Sequence, residues 1–168
     1  MIVMKKPLLI LALVSTVGYG AYRVLGSDSA PRAATDSDQL VLDRIWIDHM
    51  PRNDKDVVNV FVAITEQPFG AFQASSSWKG QYELFQYTAT GSELRIVYPQ
   101  SGERDTVKHK ARRCTEKQMD FCLELDGGSR GVKRYYSREG WEVDGVKSAT
   151  ELRERTDAHV DALVSAPR

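Results

Sequence analysis

The sequence predicts a mainly β domain: an eight-stranded antiparallel meander barrel with one C-terminal α-helix, behind an N-terminal hydrophobic export or anchor helix. Three observations predict it. From Leu40 to Trp141 apolar residues recur with period two, broken by turn signals at short, regular intervals. Beyond Trp141 the spacing becomes helical behind a capping sequence. Ahead of Gly26, a head with two lysines (Met1–Lys6) precedes the short apolar run Pro7–Val17, which is the layout of an address rather than of a folded element.

The leader, residues 1–25, reads as a signal peptide or an N-terminal membrane anchor. Gly18-Tyr19-Gly20 puts small residues where a cut after Gly20 would need them. Leu8–Leu25 is also near the lower length limit for a spanning helix, with Tyr19 and Tyr22 placed like interfacial aromatics. Residues 26–38 then form a flexible polar linker reaching about 20 Å as a random coil. A tether suits something anchored, so the retained anchor, with its N-terminus inside, is the favoured reading. No cysteine lies near the leader, which excludes a lipid-modified N-terminus.

The body, residues 39–168, has the size of one domain. The whole chain balances 23 basic against 23 acidic residues. Lys5, Lys6 and Arg23 all precede Gly26, so the exported part is slightly acidic, which argues against nucleic acid as a partner.

Leu40–His49 is the first predicted strand. Asp56–Glu66 is the clearest, rich in β-branched residues and stopped at Gln67-Pro68. Phe69–Ser77, Tyr82–Ala89 and Glu93–Tyr98 follow, then Glu103–Cys114, Asp120–Asp126 and Val132–Arg138, with turns at Lys79-Gly80, Thr90–Ser92, Pro99–Gly102 and Gly127–Gly131. Hairpin-length loops throughout point to a closed meander, which leaves no exposed edge. The helix spans about 148–164. Ser148 and Glu151 have capping-box spacing, and Leu152, Val160, Leu163 and Val164, with Ala149 and Thr156, make a narrow apolar stripe suited to the outside of a barrel.

Cys114 and Cys122 end one strand and begin the next, so a disulfide between them is predicted. Placed directly opposite each other, they pair Arg112 with Glu124 and Lys110 with Asp126 on the outer face. On the other face Ala111 meets Leu125 and Arg113 meets Leu123. Charge pairs outside and apolar partners inside are what a half-buried antiparallel pair needs. The basic run Lys108–Arg113 therefore reads as a solvated outer face.

This layout resembles the lipocalins, small β-barrels of the calycin type. Trp46, in Asp43-Arg44-Ile45-Trp46, stands at the first-strand tryptophan of the family's Gly-X-Trp motif, with Arg44 in place of the glycine. Asp120-Phe121 sits where the family has Thr-Asp-Tyr, with Met119 replacing the threonine. The resemblance implies that Arg134 or Arg138 packs across Trp46. An eight-stranded barrel of that type holds a filled core or one small ligand. The predicted cavity lining is Trp46, Val58, Val60, Val62, Phe72, Phe85, Tyr87, Leu94, Ile96 and an inward His109. Tyr82 and Leu84 compete with Phe85 and Tyr87 for the inside.

Catalytic chemistry is sparse, and no enzyme activity, metal or cofactor is expected. Ser75-Ser76-Ser77 lacks nucleophile-elbow glycines. Asp48 and His49, adjacent on a strand, would point to opposite faces. Two cysteines are too few to hold a structural metal. The leading expectation is an exported or membrane-tethered protein of the periplasm or cell surface that binds a lipid or other small apolar or amphipathic molecule. The alternative is a non-catalytic interaction module with a filled barrel that docks another envelope protein.

Overall fold

The computed structural model describes residues 36–76, 80–127 and 131–166. The predicted leader, residues 26–35 of the linker, and parts of the turns at Lys79 and Gly127–Gly131 lie outside the described residues. Eight strands close in chain order: β1 (Trp46–Ile47), β2 (Val58–Ile64), β3 (Phe69–Ser75), β4 (Gly80–Thr90), β5 (Glu93–Val97), β6 (Arg104–Arg113), β7 (Phe121–Asp126) and β8 (Arg134–Ser137). Each pairs antiparallel with the next, and β8 returns to β1. The meander and its closure are those the periodicity predicts. No helix among the described residues is long and apolar enough to cross a membrane.

The first strand departs most from expectation. Asp36–Val41 is a short helix, α1, and only Trp46–Ile47 of the predicted Leu40–His49 is strand. Asp43 turns the chain between them with φ 53°, a conformation Asp tolerates better than most residues. The turn is tied down because the Asp43 carboxylate accepts hydrogen bonds from Thr65 N at 2.7 Å and Thr65 Oγ1 at 2.5 Å. Val41 and the partly buried Leu40 and Leu42 then pack into the barrel end, and Trp46 Nε1 donates to the Val41 carbonyl at 3.0 Å.

The apolar residues form two layers. One fills the barrel with Trp46, Phe61, Phe72, Phe85, Tyr87, Leu94, Ile96, Tyr98, Leu123 and Tyr135 among others. The second lies outside β1–β3 and β8 and is covered by the helix α2 (Ala149–Ser165) and the segment that leads into it. Leu152, Thr156 and Val160 are the buried positions of α2, and Gln73 Nε2 on β3 reaches Asp157 Oδ1 at 2.6 Å. The helix begins where the capping sequence places it: Ser148 Oγ accepts from Glu151 N at 3.2 Å. The Glu151 carboxylate, however, reaches back to the amide of Lys147 rather than Ser148, at 3.0 Å.

Burial on both faces explains the misread parity of β2. Val58, Val60, Val62 and Ile64 all point outward beneath α2, whereas Phe61 and Ala63 point inward. The other half of the barrel is covered on one side only and alternates cleanly. On β6 Val107, His109 and Ala111 are buried, while Arg104, Lys108, Lys110 and Arg112 are exposed. The basic run is thus a solvated outer face, as its spacing predicts.

Candidate functional site

The barrel interior is the first place to look for a site. Trp46, Phe72, Phe85, Tyr87, Leu94 and Ile96 face it as predicted, and His109 is buried on the inward side of β6. Val58, Val60 and Val62 do not; they belong to the layer under α2. Phe85 and Tyr87, not Tyr82 and Leu84, take the inside of β4. Beside Tyr98, Val107, Leu123 and Leu125, which the predicted lining also lacks, stand Phe61 and Tyr135. Both sit among residues whose parity is masked by double-sided burial or a short strand.

These side chains pack against one another. Phe61 lies 5.2 Å from Phe72, 6.0 Å from Phe85 and 6.0 Å from Tyr135, centroid to centroid. Phe72 and Phe85 are 5.3 Å apart, and Tyr98 stands edge-on to Phe85 at 6.4 Å. Such separations are those of directly packed rings. Gly70 shows how tight the packing is: a Cβ there would lie 2.5 Å from Phe85 Cζ and closer still to the Val62 carbonyl oxygen. The phenols are satisfied within the wall. Tyr87 donates to the Ile64 carbonyl at 2.8 Å, and Tyr135 accepts from Val132 N at 2.9 Å. Burial pushes both phenols above their ordinary pKa, so they stay neutral.

The residues singled out by resemblance are arranged differently from the expectation. Arg134 lies on the outer face, paired with Glu124 at 3.1 Å. Arg138 stacks over Trp141 at 5.9 Å. Neither packs across Trp46. Arg44, standing where the motif has glycine, supplies the cation instead. It is buried, its guanidinium lies 4.1 Å from the Phe121 ring, and it donates to the Arg138 carbonyl at 2.6 Å and to Glu142. In place of the expected β8 arginine over Trp46, Arg44, two residues before β1, lies over Phe121 of β7. Asp120 is structural: its carboxylate accepts from Glu139 N at 3.0 Å just beyond β8.

The disulfide Cys114–Cys122 is present, but the two residues are not directly opposite. Cys122 faces Arg112, and Cys114 N donates to the Asp120 carbonyl at 2.9 Å. The register is shifted by two, so Lys110 pairs with Glu124, Lys108 with Asp126, Ala111 with Leu123 and Arg113 with Phe121. A shift of two keeps every side chain on its face, which is why the charge pattern survives. The cystine encloses a 3-10 turn, Glu116–Gln118, in which Lys117 and Gln118 adopt φ of 53° and 61°.

A groove of about 720 Å³ opens on the outside, along the seam between β1 and β8. Met50, Val132 and Tyr136 form its apolar lining, and Arg52, Lys117 and Arg134 its cations. Beside it His49 bridges two carboxylates: Nδ1 is 2.8 Å from Asp48 Oδ1 and Nε2 is 3.2 Å from Asp56 Oδ2. Asp48 and His49 are therefore in contact, contrary to the strand reading, because β1 ends at Ile47 and the chain bends there. The Arg52 backbone amide and guanidinium, with a smaller contribution from His49, hold the Asp56 carboxyl down to about 2. Asp48 is further engaged by Asn59, whose backbone and side-chain amides donate to it at 2.9 and 2.6 Å. Both ring nitrogens of His49 thus lie within reach of a carboxylate. Among the described residues no group of three or more His, Cys, Asp or Glu side chains could hold a metal ion.

The fold and site thus define a small closed antiparallel barrel with an aromatic interior and a polar-rimmed external groove. No family model, curated protein or solved structure matches the chain.

Proposed function

We propose that this chain is an exported, non-catalytic interaction module: a lipocalin-type barrel with a filled interior that docks another protein of the cell envelope, tethered near the membrane by its N-terminal segment. The observation that carries this reading is the packed cluster of Phe61, Phe72, Phe85, Tyr98 and Tyr135 in the centre of the barrel. A barrel that holds a small apolar ligand needs empty space lined by such rings. Here the central rings pack directly on one another instead.

Two further features support the reading. A cystine between adjacent strands is typical of oxidising compartments, in keeping with an exported domain. Two of the histidines sit in structural contacts. His49 is held by two carboxylates, and His159 stacks edge-on against Trp141 at 4.6 Å, where burial lowers its pKa.

Native mass spectrometry of the protein purified from its own membranes tests the proposal. The expected spectrum shows the chain free of lipid and associated with one stoichiometric protein partner. Reproducible co-purification of a lipid or other apolar small molecule, with no protein partner, overturns it.

A further inference from the structure

The seam of the barrel is unusually short. β1 meets β8 through a single residue pair, Ile47 with Tyr136, although β8 meets β7 through four. Antiparallel ladders alternate, so the backbone groups of residue 134 point the same way as those of residue 136, toward β1. Continued at the same register, the residue opposite Arg134 would be His49. The chain does not go there. Asp48 N donates to the Asn59 carbonyl at 3.0 Å, and Asp48, His49 and Asp56 lock residues 48–56 onto the β2 side. The ladder therefore stops at Tyr136, and the groove opens where the next pair would lie.

An interrupted ladder beside an open groove is a template for strand addition, in which a partner's backbone supplies affinity and alternate side chains supply specificity. The groove chemistry selects the partner. Arg52, Lys117 and Arg134 line it with one carboxylate, Asp48, which is engaged by His49 and Asn59. Arg52 is paired with Asp56 at 3.2 Å and Arg134 with Glu124 at 3.1 Å, both carboxylates outside the lining. Both pairs are at the exposed surface, where a partner's carboxylates can compete for the cations. Lys117 is held over the Tyr136 ring at 4.4 Å by the turn inside the cystine loop, and it pairs with no carboxylate among the described residues. Met50, Val132 and Tyr136 offer apolar contacts between these charges.

We infer that this groove binds an extended acidic segment of a partner protein, which adds one strand to β8 at Arg134. The incoming strand pairs with the Arg134 backbone and places the carboxylates of its outward residues toward Lys117 and the Arg134 and Arg52 guanidiniums, on the face that Tyr136 shares, while its alternate residues turn to the other face. The inference rests on the interaction-module reading and names the docking site.

The test uses the full chain, labelled with 15N, and a synthetic eight-residue peptide alternating glutamate with valine. The expected result is saturable binding that shifts the Arg134 amide and protects it from exchange. Binding should weaken roughly tenfold or more in the Lys117→Glu/Arg134→Glu double variant, and be lost when the peptide backbone is N-methylated or glutamate is replaced by lysine. Equal binding by the N-methylated peptide overturns strand addition. Binding indifferent to the charge reversal overturns the acidic partner. Concentration-dependent protection of Arg134 without peptide assigns the groove to a second copy of the chain and overturns it as well. A photo-crosslinking residue at Met50 in cells separates this inference from the broader reading. A stoichiometric protein partner that crosslinks at Thr88, on the outer face of β4, and never at Met50 overturns the groove while leaving the interaction module intact.

Discussion

Gly70 sits on β3 with its α-carbon turned toward the Phe85 ring, and that contact makes the packing of the barrel testable at one atom. A methyl group there meets the Phe85 ring on one side and the Val62 backbone on the other, so something must move. Gly70→Ala should lower stability by about 1–3 kcal/mol, the usual cost of overpacking a tight core, read as a fall in the denaturation midpoint at unchanged slope. A neutral substitution would mean that the interior has slack. Asp56 gives a second prediction. Its carboxyl stays ionised in the folded chain down to about 2, against an ordinary value of 3.8, so the unfolded chain takes up the proton first as pH falls. The stability it contributes is complete above about pH 4 and disappears toward about pH 2. Urea denaturation should show wild type and Asp56→Asn converging across that window; a constant gap would contradict the arrangement. Not all of this was legible in the residues. Phe85, Tyr87, Leu94 and Ile96 could be placed inside because their strands face water on the other side. Val58, Val60 and Val62 could not, because α2 buries the outer face of β2 and erases the alternation that parity arguments need.

The hairpin of β6 and β7 shows how much an element can reveal. Its pairing, its polar outer face and its cystine follow from period two and the cysteine positions, yet the register differs by two residues. Nothing in the spacing distinguishes directly opposed cysteines from offset ones when both lie on the same face, and the left-handed Lys117 and Gln118 turn is invisible in composition. Replacing both cysteines by serine should cost about 2.5 kcal/mol, the chain-entropy value for so short a loop, without loss of the fold. It should also release Lys117 from the Tyr136 ring, seen as a change in the Tyr136 ring resonances by NMR. Unchanged stability and an unchanged Tyr136 environment would show that the turn holds itself. The first strand was misread for a different reason. Leu40, Val41 and Leu42 are apolar because they plug the barrel end from α1, and Asp43 then turns the chain before Trp46. Apolar residues that cap a barrel and apolar residues that belong to its wall look alike in one dimension. At the other end of β1, residues 48–56 are held against β2, and there the groove opens at the seam.

At the scale of the whole molecule, two apolar layers share one wall: the aromatic interior, and the outer layer of β1–β3 under α2. Closure removes most strand edges and leaves one short interruption beside a basic-rimmed groove. That distribution suits a rigid platform that presents an outer surface, and it follows from filling the barrel with side chains. NMR of the methyl-labelled domain tests the filling most directly, by titration with a long-chain fatty acid while the Leu94, Ile96 and Leu123 methyls inside the barrel are observed. The filled barrel predicts that these resonances stay where they are at all fatty-acid concentrations that leave the fold intact. Saturable shifts of the methyls of these three residues would contradict it and return the interior to a ligand.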